Sequence, residues 1–224
     1  MRAPLLAALA FAFAPACEDR KDDLPAPPTT GRSNAVAAAA DAATPATASA
    51  PTAHPSEAPG PPRQLCNAQA PRPAPKGALK NAAAPGVAVL PPAIPFGAGK
   101  WIWVNLWAAW CGPCKEEMPR LLVWQKKLRD AGVLLDMAFV SLDDDDRQFQ
   151  RFLETQPATG VRASYWLPEG GGRTAWLTAL GVKDPPDLPV QALVNPAGQI
   201  SCLIQGAVEE RDYPAIAAHV GAKH

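Results

Sequence analysis

Cys111 and Cys114 are the residues best placed to do chemistry, because two thiols separated by Gly112 and Pro113 can close on each other, hold a metal or anchor a haem. A structural zinc site wants four ligands, and the three histidines, His54, His219 and His224, all lie far from the pair, so no metal is expected. Haem attachment needs His directly after the second Cys, where Lys115 stands. A peroxidase needs a single activated Cys preceded by Thr and Pro, and Trp107-Ala108-Ala109-Trp110 supplies neither. Reversible disulfide exchange is the leading reading, a reaction that runs on the two sulfurs and calls for no cofactor.

The flanking residues place the pair. Residues 100–107 form a dense apolar and aromatic run of strand length, as a central strand buried on both faces requires. Beyond Pro113, Met118, Leu121, Leu122, Gln125 and Leu128 recur at helical spacing, amphipathic apart from Gln125, and Gly132 offers a stop. The reading is strand, turn, helix, with both thiols at the turn. A thiol at a helix N-terminus meets unpaired backbone N–H groups and the positive end of the dipole, which favour thiolate. Cys111 is therefore the expected nucleophile, and Cys114, one helical turn on, the resolving thiol that releases a bound substrate. Further strands are expected over residues 133–141, 190–194 and 199–204, with a turn at 195–198, and helices over 143–156 and 173–180. The run Asp143 to Asp146 lacks the spaced ligands of a calcium loop and reads as a helix N-cap on a solvated face, with no function assigned.

The string from Val104 through Trp107-Ala108-Ala109-Trp110-Cys111-Gly112-Pro113-Cys114-Lys115-Glu116-Glu117-Met118-Pro119 resembles the thioredoxin superfamily, and more closely its TlpA/ResA-like exported branch. That resemblance reaches to about Val220 and implies an α/β fold, a central mixed β-sheet flanked by helices. It also implies that Pro189, in Asp187-Leu188-Pro189-Val190, is cis and that its loop faces the reactive Cys, with Leu188 contacting substrate. Trp110, Gly112 and Pro113 would line the same substrate groove, which Trp107 could join, while the other tryptophans are simpler as core. Thioredoxin itself carries a buried Asp where this chain has Asn105, and Asn cannot exchange protons at that site. In the TlpA/ResA-like branch a Glu three positions after the second Cys is associated with that role, here Glu117. It could take the Cys114 proton if burial raises its pKa; otherwise Glu116 and Glu117 only favour the first helical turn.

The rest of the chain frames this domain. Of 224 residues, none between Ala14 and Pro95 is aromatic, and that stretch holds most of the 27 Pro. It is expected to be a disordered Ala/Pro-rich tether over residues 17–85, with the folded domain at 86–224. Residues 1–16 read as a signal peptide, with an apolar run and Ala14-Pro15-Ala16 before Cys17, which resembles a lipidation site. Cys66 and Cys202 remain: they form a structural disulfide fastening the tether to the last strand, or stay two unrelated thiols. If paired, the ordered region begins near residue 66. Twenty-one basic residues balance 21 acidic ones, with no Lys/Arg run, so nucleic acid is not an expected partner.

These readings converge on an exported, lipid-anchored monomer that exchanges thiols with protein disulfides outside the cytoplasm. Gly112-Pro113 is the dipeptide of reducing thioredoxin, which favours a reductase. The resemblance points toward substrates of cytochrome c maturation or copper-site assembly, and a reductase there implies a membrane thiol-transfer donor of the CcdA or DsbD kind. The alternative is a tethered binding module that captures a partner, or Cu(I) on its soft thiolates, without turnover.

Overall fold

The computed structural model describes Arg63, Leu65, Cys66 and residues 71–222. The expected signal peptide, Cys17 and most of the expected tether lie outside the described residues. Seven strands form one mixed sheet: β1 (Arg72–Pro73), β2 (Lys80–Ala83), β3 (Trp101–Trp107), β4 (Leu135–Ser141), β5 (Ala163–Trp166), β6 (Val190–Val194) and β7 (Gln199–Gln205). The order across the sheet is β1-β7-β6-β3-β4-β5-β2. β3 runs parallel to β4, and β4 to β5, while β6 and β7 are antiparallel to their neighbours. Four helices complete the fold: α1 (Gly112–Asp130), α2 (Asp146–Thr155), α3 (Arg173–Leu180) and α4 (Tyr213–His219), the last preceded by a 3₁₀ turn at Glu210–Asp212. Among the described residues, no helix is long and apolar enough to cross a membrane.

The alternation of β3 divides the core. Trp103 and Trp107 point to one face, where they pack with Met118, Leu121, Trp124 and Leu128 of α1, Phe149 and Leu153 of α2, and Ile216 of α4. Ile102, Val104 and Leu106 point to the other, against Trp176, Leu177 and Leu180 of α3. Covered by helices on both faces, β3 can be apolar throughout, which is why it reads as a continuous run. The period of 2 puts Asn105 on the same face as Trp103 and Trp107, under α1.

The sheet begins earlier than the expected boundary at residue 86, because β1 and β2 lie inside the stretch read as tether. Neither carries aromatic residues, and neither needs them. Each is an edge strand held by backbone pairing, β1 to β7 and β2 to β5. Cys66 and Cys202 are joined in a disulfide, which ties Cys66 to β7. The helix expected from residue 143 begins instead at Asp146, where the Asp145 carboxylate accepts the Arg147 N–H at 2.9 Å. The sequence reading did not identify β1, β2, β5 or α4.

Leu177 is fully buried on the α3 face, away from α1. Leu177→Ala should lower the unfolding free energy by about 2–5 kcal/mol in urea titrations. The reduction potential of the Cys111–Cys114 pair should stay where it is, since the two lie on opposite faces of the sheet.

Candidate redox site

β3 leads through Ala108-Ala109-Trp110 into α1, and Cys111 is the N-cap of that helix. Its sulfur accepts the Cys114 N–H at 3.3 Å, so a free N–H of the first helical turn is aimed at the first sulfur of the pair. Pro113 sits in that first turn, where its missing N–H costs nothing. Cys111 and Cys114 form a disulfide; Cys114 is fully buried, whereas Cys111 keeps a small exposed surface. Trp110 beside them is 61% exposed, an unusual placement for a large indole. Trp107 is instead fully buried, donating its Nε1–H to Ser164 Oγ at 3.1 Å.

Glu117 lies on the buried stripe of α1 with Cys114, Met118 and Leu121, and is 1% exposed. Its carboxylate is met from three directions. Asn105 of β3 donates to Oε1 at 2.8 Å, Gln191 of β6 to Oε1 at 2.7 Å, and the Val208 N–H to Oε2 at 3.0 Å. Gln191 is held in turn by Trp103, whose Nε1–H donates to Gln191 Oε1 at 2.8 Å. Burial pushes the Glu117 carboxyl above the ordinary carboxylate range, and the three N–H donors and Arg120 offset that only in part. Asn105 and Gln191 face each other directly across the β3–β6 ladder. Gln191 went unidentified from the sequence, although a lone amide within the otherwise apolar Val190–Val194 was the available signal.

The peptide bond before Pro189 is cis. Val190 pairs with Leu106 near the end of β3, so Pro189 sits at the edge of the sheet from which the Cys111 loop emerges. Leu188 is half-buried against the cluster that includes Cys111 and Cys114. The Gly206 N–H donates to Pro189 O at 2.9 Å, joining the segment after β7 to this loop.

Asp143 does not lie on a solvated face. It is fully buried and accepts the Ala109 N–H with both oxygens, at 3.0 and 2.9 Å, and the Ser141 hydroxyl at 2.7 Å. Burial raises its carboxyl pKa as well. The acidic run thus divides its labour: Asp143 holds the loop entering Trp110, Asp144 accepts from Arg173 at 3.0 Å, and Asp145 caps α2. Composition alone shows four equivalent acids, and only their phase relative to the end of β4 distinguishes them.

A cis-proline loop beside a Cys-x-x-Cys helix N-terminus, on a mixed sheet of this order, decides the fold. This is a thioredoxin-like domain. A Chlorobium tepidum protein assigned as the thiol:disulfide interchange protein DsbE superposes on it with a TM-score of 0.52 at 24% identity, covering 69% of this chain and all of that one. In sequence, the domain is related to the thiol-disulfide oxidoreductase ResA of Oceanobacillus iheyensis, 29% identical over 111 residues, 49% of this chain and 52% of that protein. It is also related to the thioredoxin-like protein YneN of Bacillus subtilis, 32% identical over 75 residues, 30% of this chain and 44% of that protein. The chain thus spans about half the length of the curated relatives it matches. No protein-family model matches it.

The raised Glu117 pKa has a stability consequence with a definite sign. A carboxyl that holds its proton more tightly folded than unfolded stabilises most at acid pH, and that contribution fades as pH rises from the ordinary carboxylate value through the folded one. Subtracting the stability–pH curve of Glu117→Gln from that of the oxidised parent should isolate this decline. Glu117→Ala should be worse at every pH, by about 1–3 kcal/mol for each buried donor left unpaired.

Proposed function

We propose that this protein is a thiol:disulfide oxidoreductase working as a reductase of protein disulfides. The observation that carries the reading is the Cys111–Cys114 disulfide at the N-terminus of α1 with the buried Glu117 carboxylate one turn below Cys114. In the reduced protein, the Cys111 thiolate attacks one sulfur of a substrate disulfide, forming a mixed disulfide and releasing the other substrate sulfur as a thiol once it gains a proton. Glu117 takes the proton from Cys114, and the resulting thiolate attacks Cys111 Sγ. The Cys111–Cys114 disulfide closes, the second substrate thiol leaves, and two electrons have passed to the substrate. A carboxylate of ordinary pKa would be a poor match for a thiol; one raised by burial is a better one. The Pro189 loop, with Leu188, and the exposed Trp110 offer the surface on which a substrate chain rests.

The reading extends to an exported protein, anchored through a lipid on Cys17 and separated from its anchor by the Ala/Pro-rich tether. The N-terminal sequence and the likeness to ResA support it, while the Gly112-Pro113 dipeptide supports the reductive direction. Oxidised Cys111 and Cys114 would be reduced again by a membrane dithiol donor of the CcdA or DsbD kind. Disulfides formed during cytochrome c maturation or copper-site assembly are the proposed substrates.

Cys114→Ser expressed in the native compartment should accumulate mixed disulfides with partner proteins through Cys111, seen as reducible high-mass bands. Cys111→Ser should accumulate none. Absence of trapped partners with Cys114→Ser would contradict turnover and favour a binding module.

A further inference from the structure

The expected tether contributes more than reach. Arg63 donates through Nη2 to Ala207 O at 3.0 Å and through Nε to Asp212 Oδ1 at 3.2 Å, and also pairs with Asp212 Oδ2. Asp212 is 1% exposed, and its Oδ2 also accepts the Glu209 N–H at 2.8 Å. Arg63 and Asp212 therefore grip the chain on both sides of Val208. Val208 itself donates its N–H to Glu117 Oε2 at 3.0 Å, while its carbonyl accepts from Arg120 at 2.5 Å. What keeps Arg63 there is covalent: Cys66 is bonded to Cys202 of β7, and Leu65 is buried in the cluster that also holds Val208 and Cys202.

We infer that Arg63 and Asp212, stapled in place by the Cys66–Cys202 disulfide, are positioning residues for Glu117: they hold residues 206–212 so that the Val208 N–H stays on the carboxylate and bulk water stays off it. The inference rests on the reading of Glu117 as the group that takes the Cys114 proton. Its physical basis is the cost of a buried unpaired carboxylate. With Arg63 removed, Asp212 has lost its cation and keeps only the Glu209 N–H, and loosening of the loop lets water reach the uncompensated charge. The same motion uncovers Glu117. Without the disulfide, Arg63 belongs to a Pro-rich segment whose ordering is opposed by chain entropy, a cost that closing a loop of 136 residues in sequence removes from the folding step.

The groups facing Glu117 set the direction of the effect. From α1 come the Arg120 cation and the Cys111–Cys114 pair; β3 and β6 offer only the neutral Asn105 and Gln191. The loop carries Glu209, Glu210, Arg211 and Asp212, with Arg63 docked on it. Burial is the largest influence on Glu117, and water entering with the lifted loop replaces the lost N–H, so loosening moves the carboxyl back toward the ordinary range.

The test uses the oxidised full-length chain and reads Glu117 by carboxyl carbon NMR and Val208 by amide hydrogen exchange. Arg63 is one-third exposed, so Arg63→Ala should fold. It should speed Val208 exchange by about tenfold or more and lower the Glu117 titration midpoint. Cys66→Ser/Cys202→Ser should do the same, and Arg63→Lys should fall between Arg63→Ala and the parent. Leu177→Ala, destabilised elsewhere, should leave the midpoint unmoved. If Arg63→Ala loses stability while the Glu117 midpoint stays put, the clamp is merely structural and the inference is overturned. If the midpoint moves but the pH profile of Cys114 attack on a Cys111 mixed disulfide does not follow, the positioning stands and the proton-accepting role of Glu117 falls.

Discussion

A carboxylate on the apolar stripe of a helix is a liability unless donors converge on it, and the centre of this molecule is arranged around that constraint. Glu117 lies between α1 and the sheet with no bulk water to solvate it, so its oxygens must be met by N–H groups from elsewhere. They come from β3, β6 and the segment after β7. Each donor requires its own element in register. Asn105 requires the alternation of β3, Gln191 requires the Asn105–Gln191 pairing, and Val208 requires the loop that follows β7 to fold back over α1. With both Glu117 oxygens met by N–H donors in this way, the network favours one packing of the core over its near neighbours, because any slip strands a charge.

The same elements aim the thiols. The helix that buries Glu117 begins at Cys111, so the orientation of α1 sets both the sulfur at its N-terminus and the carboxylate one turn further along. The loop entering the helix is pinned separately, by Asp143 on the Ala109 N–H and by the Leu142 N–H on Trp107 O at 2.8 Å. Trp103 and Trp107 fill the space beneath, so the redox site rests on a close-packed aromatic floor that leaves little freedom to rearrange.

Much of this was legible from residues alone, and the reasons differ by element. β3 announced itself because a strand covered on both faces is apolar throughout, and α1 because its apolar residues recur at helical spacing after Pro113. Glu117 as a buried group needed the resemblance: on spacing alone it falls beside Met118 on the inward face, but a Glu near the start of a helix has an ordinary surface explanation. β1 and β2 escaped because an edge strand that lives on backbone pairing leaves no hydrophobic signature. Asp143 escaped because its neighbours are identical to it, and burial is decided by the end of β4. The pairing of Cys66 with Cys202 could be posed but not resolved by counting, since proximity across 136 residues is a property of the fold.

The direction of electron flow is the central claim, and the reduction potential of the Cys111–Cys114 pair tests it most directly. The full-length protein would be equilibrated against defined thiol buffers and the two sulfurs scored by alkylation and mass. The account predicts a value near or below that of thioredoxin, about −270 mV. A value near that of DsbA, about −120 mV, would mean that the pair donates its disulfide rather than its electrons, and would contradict the reductase.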